Sequence, residues 1–178
     1  MTQGAAEGGA VEAYVALGAN VGDRAGAMRR ALAALGRTPG VRVVAASPVY
    51  ETAAHVLPGA PEAPDFLNAV ARLRVTLEPD ALLRALLEAE AAEGRVRTAR
   101  WAPRPLDLDL LVYGDVVLAT SALALPHPRL AGRRFVLAPL SDLAPNLRVP
   151  APFSASVSEL LARCPDVSRL IRTDLALL

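Results

Sequence analysis

"RWAPRPLDLDLLVYG", residues 100–114, sets two aspartates in alternation with leucines, directly after a tryptophan and two arginines. In a β-strand successive side chains point to opposite faces, so Asp107 and Asp109 share one face while Leu106, Leu108 and Leu110 share the other. At about 3.3 Å of rise per residue the two carboxylates stand roughly 6.6 Å apart. That interval brackets two Mg²⁺ ions about 3.5 to 4 Å from each other, or clamps one ion. Aspartate is disfavoured in strands, so two in register are more telling than two in a loop. The plain alternative is a solvated edge-strand face.

The neighbouring residues favour a metal. Two bare carboxylates on one face repel, and Mg²⁺ takes one or two carboxylates together with substrate phosphates. Arg104 lies three residues before Asp107, and seven arginines (Arg95, Arg97, Arg100, Arg104, Arg129, Arg133 and Arg134) fall between positions 95 and 134. Guanidinium forks suit phosphate oxygens, so a metal-nucleotide site is expected. Trp101 is either a core residue or a lid that packs over a bound base. His127, between two prolines in "LPHPRLAGRRF", is either a phosphate donor or an ordinary loop histidine. His55 reads as chemically idle and Glu90 as the edge of an apolar helical stripe.

Composition limits the remaining choices. The chain has 178 residues, enough for one domain with a substantial core and cramped for two. We read residues 1–12 as a flexible lead-in and 13–178 as a single domain. Nineteen basic residues against eighteen acidic leave a net charge of +1, which gives no field for a nucleic-acid partner. All the basic residues are arginine, so neither a Schiff base nor a P-loop lysine is available. The single cysteine, Cys164, excludes an internal disulfide and a cysteine-based metal cluster. No apolar run approaches the roughly 18 residues of a membrane span, and the start lacks a secretory pattern. A soluble, cytoplasmic protein with no membrane partner is expected, as a monomer or weak homodimer.

Periodicity predicts a strand over Ala13–Asn20 and an amphipathic helix through "DRAGAMRRALAALG" with a glycine stop. "VRVVAASPVYET" (Val41–Thr52) reads as a strand broken by Pro48, and Asp65–Leu77 as a further strand able to pair with it. "EPDALLRALLEAEAAEGR" is a helix with proline in its first turn and Gly94 at its end. The strand "LDLDLLVYG" is expected to turn at Gly114 and Asp115 into a hairpin with "VVLAT". The stretch from Pro126 to Leu147 reads as short helical turns punctuated by proline. The order strand, helix, strand, strand, helix, strand matches the βαββαβ ferredoxin-like α+β unit, an antiparallel sheet with helices on one face.

The motifs "LGANVGDR", "YET", "PDFLNAV", "EGRVR", "RWAPRPLDLDLLVYG" and "LPHPRLAGRRFVLAPL" resemble, in order, those of the 6-hydroxymethyl-7,8-dihydropterin pyrophosphokinases of folate biosynthesis. The resemblance runs from about Ala13 to about Ala162. It implies the same ferredoxin-like fold and transfer of pyrophosphate from ATP to the hydroxymethyl group of the dihydropterin, with release of AMP. It also implies that Asp107 and Asp109 hold two Mg²⁺ ions. Arg95, Trp101 and Arg104 match the family's mobile catalytic loop and nucleotide contacts. His127 and Arg133 match positions near the ATP phosphates, and Glu90 a weaker nucleotide-site position. Thr52, Phe66, Asn68 and Phe135 match the pterin pocket, where two rings sandwich the heterocycle and an amide reads its edge. After Thr52 this chain has "AAHVLPGAPEAP" where the family usually has a proline pair. Two other classes stand beside this one: an RNA-binding ferredoxin-like module, and a domain of the same fold without catalysis.

Overall fold

A computed structural model describes residues 9–53, 64–94 and 105–178. Along the chain come β1 (Val11–Ala19), α1 (Arg24–Arg37), β2 (Val41–Ala46), β3 (Tyr50–Thr52), β4 (Phe66–Val75), α2 (Pro79–Ala92) and β5 (Asp107–Tyr113). There follow β6 (Leu118–Ala119), β7 (Ala124–Leu125), α3 (Arg134–Leu143), β8 (Arg148–Val149), β9 (Ala155–Ser156), α4 (Val157–Ala162) and β10 (Leu170–Arg172). The main sheet has six strands in the order β10-β3-β4-β1-β5, and β2 also pairs with β4. Every pairing is antiparallel. The strands β1, β2, β4 and β5 with α1 and α2 form the expected ferredoxin-like unit.

Alternation along the strands decides what each face meets. Ala13, Val15 and Leu17 of β1 point with Ala69, Ala71 and Leu73 of β4 into a core closed by Met28 and Leu32 of α1 and Leu82 and Leu86 of α2. Burying such a side chain stabilises the fold by about 1.5 to 3 kcal/mol. The helices start and stop where local chemistry asks. The Asp23 carboxylate accepts the Gly26 N–H at the start of α1, and α2 opens on Pro79. Gly94, just beyond α2, adopts φ +81°, a conformation that costs glycine little.

The structure departs from the sequence reading at three places. The opposite face of the sheet is also covered: Tyr14, Val70 and Leu111 meet Leu137 and Leu140 of α3 and Leu160 of α4 in a second core. The segment after His127 holds a ten-residue helix, α3, which runs through Pro139 and so is more than a set of short turns. Its buried stripe of Val136, Leu137 and Leu140 sustains it although Pro139 has no N–H to give. Finally, the chain does turn at Gly114, with φ +48° and a Val116 N–H to Tyr113 carbonyl bond of 3.0 Å. The following strand, however, pairs with β7 and not with β5. No β5 hairpin forms because His127 takes the Leu111 carbonyl with its own N–H at 2.8 Å. No helix among the described residues is long and apolar enough to cross a membrane.

Candidate active site

Leu108 and Leu110 are drawn into the first core, and this turns Asp107 and Asp109 onto the other face of β5, half-buried. The register places their neighbours. Asp107 lies opposite Gly18 on β1, Gly18 opposite Asn68 on β4, and Asn68 opposite Tyr50 on β3. One step along, Asp109 lies opposite Ala16, which lies opposite Val70. The central strand thus offers only a hydrogen and a methyl between the two flanking columns. A Cβ built on Gly18 would stand 3.7 Å from Asn68 Oδ1 and 4.0 Å from Asp107 Cβ, so both side chains lean over bare backbone.

The column on β4 carries a buried polar pair. Asn68 Nδ2 donates to Thr52 Oγ1 at 2.8 Å, and both residues are buried. That bond fixes the amide, so its carbonyl is oriented independently of any ligand. Phe66 lies opposite Thr52 and, two residues before Asn68, on the same sheet face. Phe135 enters from the first turn of α3 and packs against the second core.

Around Asp109 the structure gathers cationic and imidazole groups. Arg133 Nη1 donates to Asp109 Oδ2 at 3.1 Å, with the two side chains 19% and 35% exposed. The Arg133 guanidinium also lies 5.7 Å from the Phe135 ring centroid, within cation–π range. His127 Nε2 stands 3.8 Å from the same Oδ2, too far for a hydrogen bond. The Arg129 N–H donates to His127 Nδ1 at 3.1 Å, so the hydrogen of the neutral ring sits on Nε2 and faces the aspartate. Burial holds the His127 pKa below its ordinary value; Asp109 opposes that shift, while Arg133 and Arg129 add to it. The imidazole is a neutral donor at pH 7.

Glu90 reaches β5 from the opposite direction. It is 2% exposed, and its Oε1 accepts the Leu108 N–H, between the two aspartates, at 2.7 Å. The structure therefore places Glu90 as a brace on the backbone of the aspartate strand. Arg95, Arg97, Arg100, Trp101 and Arg104 lie outside the described residues, as does His55. Thr52, Phe66 and Asn68 project from the adjacent strands β3 and β4, Asp107 and Asp109 project from β5 on the far side of β1, and Phe135, Arg133 and His127 come from the segment that follows β7. The sequence reading missed Ala16 and Gly18 as the floor of the site. The signal was there in "ALGAN", where a glycine interrupts a strand. It also missed Asp142, whose carboxylate accepts the Tyr50 hydroxyl at 2.7 Å and ties β3 to α3.

The donor chemistry fits a hard divalent cation. Two carboxylates leave the same strand face, and Asp109 is open to solvent. Among the described residues no group of three or more His, Cys, Asp or Glu side chains is poised to hold a metal. The remaining coordination positions would therefore fall to water and substrate oxygens, the usual arrangement for Mg²⁺.

Residues 14–145 match the family profile of the 7,8-dihydro-6-hydroxymethylpterin-pyrophosphokinases (HPPK). The chain belongs to this family. It is 45% identical over 152 residues to the 2-amino-4-hydroxy-6-hydroxymethyldihydropteridine pyrophosphokinase of Pseudomonas aeruginosa, covering 85% of this chain and 91% of that one. The enzyme of the same name from Haemophilus influenzae is 35% identical over 156 residues, covering 88% and 94%. Among solved structures, a crystal structure of an HPPK-DHPS in complex with substrates superposes with a TM-score of 0.67 at 12% identity, over 87% of this chain. That likeness concerns the fold alone, and this chain spans 43% of that longer one.

Proposed function

We propose that this chain transfers the β,γ-pyrophosphoryl group of ATP to the hydroxymethyl oxygen of 6-hydroxymethyl-7,8-dihydropterin, giving the pterin diphosphate and AMP in folate biosynthesis. One observation carries the reading: the Thr52–Asn68 pair and the Asp107–Asp109 pair share one sheet face, on either side of the bare backbone of Gly18 on β1. A flat conjugated ring calls for aromatic faces and a fixed amide at its edge. A polyphosphate calls for cations and hard metal ligands.

In this reading Asn68 and Thr52 orient the pterin edge, and Phe66 and Phe135 supply its apolar faces. The hydroxymethyl oxygen attacks the β-phosphorus in line as the bond from that phosphorus to the α,β-bridging oxygen breaks, and AMP leaves with the bridging oxygen. Asp109 is the candidate acceptor for the hydroxyl proton. Two Mg²⁺ ions held by Asp107 and Asp109 would supply neutralisation of charge on the phosphate oxygens. Arg133 and the neutral His127 donate to those oxygens, and Arg95, Trp101 and Arg104 are assigned to nucleotide binding and exclusion of water. Glu90 holds β5, and through it the aspartates, in register.

The test is AMP formation from ATP and Mg²⁺, with and without 6-hydroxymethyl-7,8-dihydropterin, followed by mass analysis of the pterin. Pterin-dependent AMP and a diphosphorylated pterin are expected. Absence of AMP at saturating substrates refutes the assignment.

A further inference from the structure

The match to the family profile ends at residue 145, and the last thirty-odd residues lie beyond it. The end of this stretch does something specific. It returns to the edge of the main sheet far from the aspartates and adds β10 as the outermost strand, antiparallel to β3. Leu170 lies opposite Thr52, Ile171 opposite Glu51 and Arg172 opposite Tyr50. Thr173 extends the contact with two bonds to the Val49 carbonyl, from its N–H at 2.9 Å and its Oγ1 at 3.0 Å. Past the strand, Arg29 of α1 donates to the Ala176 carbonyl at 2.9 Å, and Leu177 is 6% exposed within the first core. The tail is thus anchored twice, by a ladder and by an apolar plug.

Strand β3 has three residues, and in the sheet it lies between β4 and β10. So short a strand paired on one side alone is weakly held. Its last residue is Thr52, whose Oγ1 fixes the Asn68 amide. Tail, strand and amide form one mechanical chain: Thr173 seats Val49, β10 seats Thr52, and Thr52 orients Asn68. The aspartates sit at the other margin of the sheet, with β4 and β1 in between. Whatever loosens the tail should act on the acceptor pocket and leave the nucleotide side alone.

We propose that the C-terminal tail is a positioning element for the acceptor pocket, in which Thr173 and β10 hold Thr52 against Asn68 and so set affinity for the flat heteroaromatic acceptor. This rests on the assignment of Thr52 and Asn68 to the pterin site.

The experiment uses the full chain and three variants: Thr173→Pro, which removes both bonds to Val49; Thr173→Val, which removes only the hydroxyl; and Leu178→Ser, at a tail position that is 68% exposed. Binding of 6-hydroxymethylpterin is followed by its fluorescence, and binding of Mg²⁺ with a non-hydrolysable ATP analogue by calorimetry. From the loss of one or two hydrogen bonds transmitted to the pocket, Thr173→Pro should weaken pterin binding about tenfold or more and Thr173→Val about threefold. Nucleotide affinity should stay within about twofold in both, and Leu178→Ser should match the wild type. A folded Thr173→Pro chain with wild-type pterin affinity, or equal weakening of pterin and nucleotide, overturns the proposal. Should Thr173→Pro fail to fold, Thr173→Val decides, and an unchanged pterin affinity there overturns it equally. A wild-type chain that binds no pterin refutes the acceptor assignment itself, a result distinct from a tail that proves irrelevant.

Discussion

Arg133 holds Asp109 before any cation arrives, and its removal should therefore tighten metal binding even as it harms catalysis. The ion pair has an N–O distance of 3.1 Å, with the arginine mostly buried and the aspartate a third exposed. Two unit charges at that separation attract by about 1.3 kcal/mol in water and about 5 kcal/mol at an effective dielectric constant of 20. Exposure of Asp109 and side-chain ordering bring the net value toward the lower figure, about 1 to 2 kcal/mol. A divalent ion approaching Asp109 in the absence of nucleotide must displace the guanidinium and bear its repulsion. Replacing it with methionine, which keeps the apolar stem, should raise the affinity of the nucleotide-free chain for Mn²⁺ by about five- to thirtyfold. Turnover at saturating ATP should fall, because a displaced Arg133 is then free to donate to phosphate. Electron paramagnetic resonance of free Mn²⁺ during titration measures the first effect and AMP release the second. Unchanged or weaker Mn²⁺ binding by Arg133→Met would refute the reasoning, since it would mean that the pair places no load on the metal ligand.

Asp107→Asn and Asp109→Asn should each lower AMP release by about a thousandfold or more while the far-ultraviolet circular dichroism stays native, because both side chains lie on the face away from the first core. Phe135→Ala should weaken pterin binding by about tenfold through lost ring contact, seen in the same fluorescence titration. The Glu159 carboxylate is held below the usual range by the N–H and then the hydroxyl of Ser156 in a capping box on α4. Its contribution to stability is accordingly full above pH 4.5 and disappears as pH falls through the lowered pKa. Thermal midpoints of Glu159→Gln and wild type should therefore differ at pH 6 and converge as the pH falls through the lowered pKa; a constant difference contradicts the cap.

Much of the candidate site is legible in the sequence because it rests on strand parity. Once Leu108 and Leu110 are assigned to the core, Asp107 and Asp109 have no other face to occupy. The same holds for Asn68 between Leu67 and Ala69. What parity cannot supply is the partner across the sheet, and so Gly18 went unnoticed although it stands between the amide and the first carboxylate. The expected β5 hairpin failed for a related reason. Gly114 announces a turn correctly, but which strand follows is settled by a backbone donor, the His127 N–H, thirteen residues away. Prolines 126, 128 and 139 make the segment read as short turns, whereas a buried apolar stripe holds α3 together through Pro139. Strand β10 left no trace, since three residues, Leu-Ile-Arg, are too few for alternation to register and their pairing is wholly non-local.

The distance across Gly18 has a consequence for how such a catalyst can vary. Strands in a sheet are about 4.8 Å apart, so two steps, from β4 over β1 to β5, separate the proposed acceptor column from the proposed metal column by about 10 Å. That span is a property of the hydrogen-bond lattice and cannot be stretched by loop insertion or by side-chain exchange. The sheet acts as a ruler, with the two proposed binding columns marked on it. A slip of one residue in β1 would invert its parity and lose the gap at Gly18, so intermediate lengths are not accessible by small steps. Acceptors of different size would have to be accommodated at the rim, by β3 and the segment after it, while the graduation itself stays fixed.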